Sequence, residues 1–193
     1  MVMVGAGLLR ACCLLWALLL VGPAPVRADD ASIHVRSAEI TQGPEGLVLA
    51  AAFRIELDQI LEEALNRGLT LHFVTEFELR YEPWYFLGLL DRVAARFEQE
   101  HRLSYNPLTR QYRVTAGGLT RHVDTLSQAL GMVARVSDRL AATRDEYRPG
   151  ESYQAQLRLR LDASQLPKPF QLSSLGSRSW NLSSEWFRWP VTP

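Results

Sequence analysis

The stretch Leu69-Thr70-Leu71-His72-Phe73-Val74-Thr75-Glu76-Phe77-Glu78-Leu79-Arg80-Tyr81 decides the fold class. Its odd positions read Leu, Leu, Phe, Thr, Phe, Leu, Tyr, while His72, Glu76, Glu78 and Arg80 occupy even ones. Side chains alternate between the two faces of a strand, so this spacing predicts a strand with one buried and one wet face. Such one-sided burial is the habit of antiparallel sheets.

The same pattern recurs outward in both directions. Toward the amino terminus, Leu47, Leu49, Ala51, Phe53, Ile55 and Leu57 form an unbroken alternating row. Toward the carboxyl terminus, Val93, Ala95, Phe97, His101 and Leu103 form a third row, opposed by Arg92, Arg96, Glu98, Glu100 and Arg102. A fourth runs Tyr153, Ala155, Leu157, Leu159 and Leu161, opposed by Gln154, Gln156, Arg158 and Arg160. Mixed charges on the outer faces can pair across neighbouring strands.

Gln42-Gly43-Pro44-Glu45-Gly46 predicts a turn from a strand at 32–41 into the one at 47–57, and Asn106-Pro107-Leu108-Thr109 a turn into a strand at 110–115. Two short helices are predicted. Asp58 caps one, with Ile60, Leu61, Ala64 and Leu65 on a single stripe and Gly68 at its end. Thr125 and Gln128 form a capping box for the other, ahead of Leu126, Ala129, Leu130 and Val133. Residues 134–150 are ambiguous, Val136, Asp138 and Leu140 giving a weak strand signal. Leu166-Pro167-Lys168-Pro169-Phe170 reads as extended, and Trp180 to Trp186 as a last strand. The expected fold is mainly β: an antiparallel two-sheet sandwich-like domain with two short helical insertions.

The amino-terminal segment reads as an export signal. Arg10 precedes the apolar run Ala11 to Val21; Gly22, Pro23 and Pro25 end it, and Val26-Arg27-Ala28 suits cleavage after Ala28. The run is well short of the roughly 20 apolar residues of a membrane-spanning helix. Residues 1–28 are therefore expected to be a signal peptide and 29–193 one β-rich globular domain, with no stable membrane span after cleavage. Cys12 and Cys13, the only cysteines, lie within the signal, so no disulfide is expected in the exported chain. Cleavage also takes Arg10 and Arg27 from the 21 basic residues and none from the 21 acidic ones. That slight acid excess argues against a nucleic-acid partner. Lys168 is the only lysine; arginine in its place, with abundant Ala and Leu, fits GC-rich coding, a bacterial source and the periplasm.

No pattern of catalytic residues stands out. His34 and His72 fall on predicted outer faces and His122 in a loop; His101 alone shares an inward row, beside Glu100 in sequence. H-E-x-x-H, paired-cysteine and G-x-S-x-G spacings are missing, so His101 reads as a structural histidine rather than a metal ligand or base. Glu62-Glu63, Glu76/Glu78 and Glu98/Glu100 fall on predicted solvent faces. No cofactor, metal or enzymatic activity is expected.

Aromatic residues carry more. Trp84, Tyr85, Phe86 and Leu87 sit in an almost wholly apolar connection, and Trp180, Trp186, Phe187 and Trp189 cluster near the carboxyl end. They either close the open ends of the sandwich or form an exposed patch for a partner. Trp84 to Leu87 are the first candidates for that patch; Trp180, Trp186, Trp189 and His101 are weaker ones.

Three linked stretches resemble a known family. They are Arg102-Leu103-Ser104-Tyr105-Asn106 continuing through Leu108 to Arg113, Leu159-Arg160-Leu161-Asp162 running into Leu166 to Gln171, and Trp180 to Trp186. Together they resemble the exported bacterial family called domain of unknown function 4390, or "proline-rich signal peptide protein". Members often carry a tryptophan-rich run where this chain has Trp84-Tyr85-Phe86, a mild departure. The resemblance implies export and a periplasmic accessory of a membrane protein such as a sensor kinase, and it brings no reaction. Three functions compete: a non-enzymatic interaction module touching an envelope or membrane protein, a carrier or sensor of a small apolar or lipid ligand between Phe53, Phe73, Phe77 and Phe97, and an envelope hydrolase.

Overall fold

The computed structural model describes residues 30–81, 92–168, 170 and 179–193. The expected signal segment and the Trp84–Leu87 candidate patch lie outside the described residues.

The alternating rows become strands. In chain order they are β1 (Ser32–Gln42), β2 (Gly46–Glu56), β3 (Leu71–Tyr81), β4 (Arg92–Asn106), β5 (Gln111–Ala116), β6 (Leu119–Val123), β7 (Arg135–Thr143), β8 (Tyr153–Leu161) and β9 (Phe187–Val191). Helix α1 (Gln59–Asn66) follows β2, and α2 (Leu126–Val133) follows β6. A three-stranded sheet, β1-β2-β7, lies over a six-stranded sheet, β6-β5-β4-β3-β8-β9, and every pairing is antiparallel. The fold is the expected mainly β, two-sheet sandwich-like arrangement with two helices.

The interior is filled by the predicted rows. Leu47, Leu49, Phe53, Phe73, Phe77, Leu79, Leu157 and Leu159 are all buried, with Phe77 stacked on Phe97 at 5.3 Å. Burying a side chain of this size contributes roughly 1.5–3 kcal/mol. Both helices cover the inner side of the large sheet. Helix α1 packs on β4 and on the turn at Ser179–Asn181, while α2 packs on β4, β5 and β6. Asp58 caps α1 as expected, its Oδ1 accepting from the Leu61 N–H at 2.9 Å. Thr125 Oγ1 likewise accepts from the Gln128 N–H at 3.2 Å.

Several expectations change, each for a local reason. Leu61 and Leu65 are buried on α1, but Ile60 is 53% exposed, because one eight-residue helix presents only a narrow stripe to the sheet. Val93 leaves its inward row. Leu79 pairs with Ala95 and Arg80 with Val93, so Ala94 is an extra residue and the bulge turns Val93 outward. The ambiguous 134–150 region holds β7, whose alternation is broken twice. Ser137 and Asp138 stand opposite one residue of β2, with Asp138 at φ 49°, and Ala141 is a second insertion. Phe170 donates its N–H to Pro167 O at 2.8 Å, so a turn forms where extended chain was expected. Trp180 sits in a 3-10 turn, and the final strand begins only at Phe187.

Candidate binding surfaces

The outer face of the large sheet holds a polar array that alternation placed in solvent. Glu76 on β3 is only 9% exposed. Arg158, its direct neighbour on β8, donates from Nε to Glu76 Oε2 at 2.7 Å, and Arg160 donates from Nε to Oε1 at 2.5 Å. Burial pushes the Glu76 carboxyl up, and the two arginine hydrogen bonds with their charges outweigh it and hold the group below its usual value. One pair further along, Gln156 Nε2 donates to Glu78 Oε2 at 2.6 Å, and Arg188 on β9 donates to Gln156 Oε1 at 3.2 Å. The array therefore runs across three strands.

Trp186 completes it. The Arg158 guanidinium carbon lies 4.4 Å from the centre of the Trp186 ring, cation–π geometry on a half-buried indole. The chain brings Trp186 there because residues just before β9 run along the edge of β8. Leu161 donates its N–H to Leu182 O at 2.8 Å, and Ser184 donates to Leu159 O at 2.9 Å.

The other weaker candidates separate. Trp180 is 5% exposed and belongs to the core, so it presents no patch. Trp189, half-buried, faces inward, its ring 6.4 Å from Phe77 and 5.4 Å from Phe187. The clustered aromatics of the sequence thus divide between core and surface, and Trp186 alone of the three lies in the outer array.

His101 is 4% exposed. Its sequence neighbour Glu100 points to the opposite face and meets His72 Nδ1 at 2.7 Å, so it gives His101 no carboxylate partner. Gln99 Nε2 lies 3.3 Å from His101 Nε2, and Nδ1 has no hydrogen-bond partner among the described residues. Burial lowers the His101 pKa and keeps the ring neutral near pH 7. The ring borders an open groove of 490 Å³ between the β5–β6 hairpin, the end of α2 and the start of β7. Arg121, Arg135 and Ser137 supply its polar walls, and Leu119 and Met132 apolar ones.

Among the described residues, no three His, Cys, Asp or Glu side chains converge to hold a metal. No helix among them is long and apolar enough to cross a membrane. The residues missed by sequence reading are chiefly Glu76, Arg158, Arg160 and Arg188 on one side and Arg121 and Arg135 on the other. Cross-strand register joins the first set, the groove between the two sheets brings Arg121 and Arg135 together, and the only sequence signal was the alternating charge on predicted outer faces.

No curated protein and no solved structure matches the chain. A family model described as Domain of unknown function (DUF4390) matches residues 30–190, which takes in both helices and every strand except the last residue of β9. The chain belongs to the DUF4390 family.

Proposed function

We propose that this protein is an exported, periplasmic, non-enzymatic interaction module that docks on an envelope or membrane protein through the outer face of its large sheet. One observation carries the reading: Trp186 is stacked on an arginine that is itself fixed by the buried Glu76. Tryptophan and arginine dominate protein–protein hot spots, and side chains already held in place lose less entropy on binding. Strands β8 and β9 carry Arg158, Arg160 and Arg188 and no acidic residue, which favours an acidic partner surface. Export rests on the charged start, short apolar core and small-residue cleavage site before Asp29. Docking on a sensor kinase is one form of this reading, suggested by the family resemblance.

The competing readings have less support in the geometry. Phe53, Phe73 and Phe77 pack into the core, and neither they nor Phe97 line the groove beside His101. A hydrolase would need a carboxylate or imidazole poised near neutral pH. Glu76 is held ionised between two arginines, and no carboxylate among the described residues hydrogen-bonds His101.

The test is in-cell photo-crosslinking from a benzoylphenylalanine at Pro190, which is exposed and shares the outer face of β9 with Arg188. A single dominant envelope-protein adduct, lost in Arg188→Glu, is expected. A folded, exported protein with no adduct, or one indifferent to Arg188→Glu, overturns the reading.

A further inference from the structure

The inner side of β4, β5 and β6 continues beyond the region roofed by the three-stranded sheet. Register aligns His101, Ala116 and Leu119 across the three strands, and Leu103, Val114 and Arg121 in the next row. Small residues leave the space open. Ala116 lines the groove at the strands, and a methyl added at Gly131 on α2 would meet nothing within 4 Å. Among the described residues, Arg121 and Arg135 line the groove and no carboxylate does. Leu119 is 71% exposed beside them.

We propose that this groove binds a small amphipathic carboxylate. Arg121 and Arg135 take the carboxylate, as guanidinium groups suit its planar, two-oxygen geometry. Leu119, Val114 and Met132 take a short hydrocarbon tail. Inorganic phosphate would satisfy the arginines and leave the apolar wall unused. The site lies on the inner side of the sheet and does not depend on the docking surface around Trp186.

The experiment titrates the purified exported protein with sodium octanoate and follows backbone amides of Ala116, Leu119, Gly131 and Ser137 by NMR. Sodium acetate, 1-octanol and inorganic phosphate are run as head-only, tail-only and competing-anion probes. Saturable shifts at those amides are expected with octanoate, at least about tenfold tighter than with any of the three others. Arg121→Gln and Arg135→Gln, both at exposed positions, should each weaken octanoate about tenfold while leaving the rest of the spectrum in place. Overturning results are the absence of saturable shifts, phosphate binding as tightly as octanoate, or octanoate affinity unchanged in both variants.

Discussion

Glu76 on β3 and Arg160 on β8 meet at 2.5 Å although the register pairs Glu76 with Arg158 and Arg160 with Val74. The arginine reaches diagonally, within the range of a long side chain on one sheet face. Glu76 is thereby shared by two cations on a face that binary patterning assigns to water. Val74, between Arg160 and Glu100 in the same ladder, is also buried, at 7% exposure. Hence this face is partly covered and partly ordered, which a plain solvent face is not.

Removing the shared anion should cost more than an ordinary surface mutation. Glu76→Ala leaves Arg158 and Arg160, each about 30% exposed, without their common partner. Breaking a fully buried pair costs about 3–5 kcal/mol, and partial hydration of these arginines reduces that to about 2 kcal/mol. Urea unfolding at pH 7 measures it. A change under about 0.5 kcal/mol, the range of neutral surface substitutions, would show the network to be ornamental.

Two groups should give the stability curve two separate acid legs. The folded pKa of His101 lies below the ordinary 6.5, so the unfolded chain binds its proton first. Its contribution is complete above 6.5 and declines as pH falls from there through the folded value. Glu76, held below 4.5, contributes above that value and loses its share only as pH falls through its own lower folded pKa. His101→Phe should flatten the first leg and keep the second; Glu76→Gln should do the reverse. Denaturant midpoints collected from pH 7.5 to 3.5 separate them, and a His101→Phe curve parallel to wild type overturns the assignment.

Thr75 offers a gain. It sits between Phe73 and Phe77 in the inward row, fully buried, and its Oγ1 has no hydrogen-bond partner among the described residues. Replacing an unsatisfied hydroxyl by a methyl of the same shape removes a desolvation penalty of about 1 kcal/mol. Thr75→Val is therefore expected to raise the urea midpoint without changing the slope. A lowered midpoint would mean that the hydroxyl has a partner, such as bound water.

The strands were legible because alternation is a local signal that burial of one face enforces. Leu47 to Ile55 and Tyr153 to Leu161 keep strict alternation and appear as strands within a residue of expectation. Bulges erase that signal. Val93, Asp138 and Ala141 each break the period because an inserted residue rotates the rest of its strand, and only the partner strand reveals the insertion. The binding surfaces were illegible for a related reason. Glu76 and Arg160 are separated by 84 positions, and β8 brings them together. Likewise His101 reads as an isolated inward histidine until Ala116, Leu119 and Arg121 are aligned beside it.

Gly46 tests how tightly β2 is held against β7. Its φ is 153°, and a methyl there would overlap Ala142 O and lie 3.0 Å from Thr143 Cα. Both obstacles are backbone atoms of the neighbouring strand, so no side-chain rotation relieves the clash. Either β7 moves away near its second bulge or the Gly43-to-Gly46 hydrogen bond of the turn, 2.7 Å, is lost. Gly46→Ala should cost about 2–3 kcal/mol, comparable with overpacking a core. Gly131→Ala, where the added methyl meets nothing and the residue is helical, should instead be neutral or stabilising by up to about 1 kcal/mol. Equal effects of the two substitutions in thermal unfolding would show that the β2–β7 approach is looser than this geometry requires.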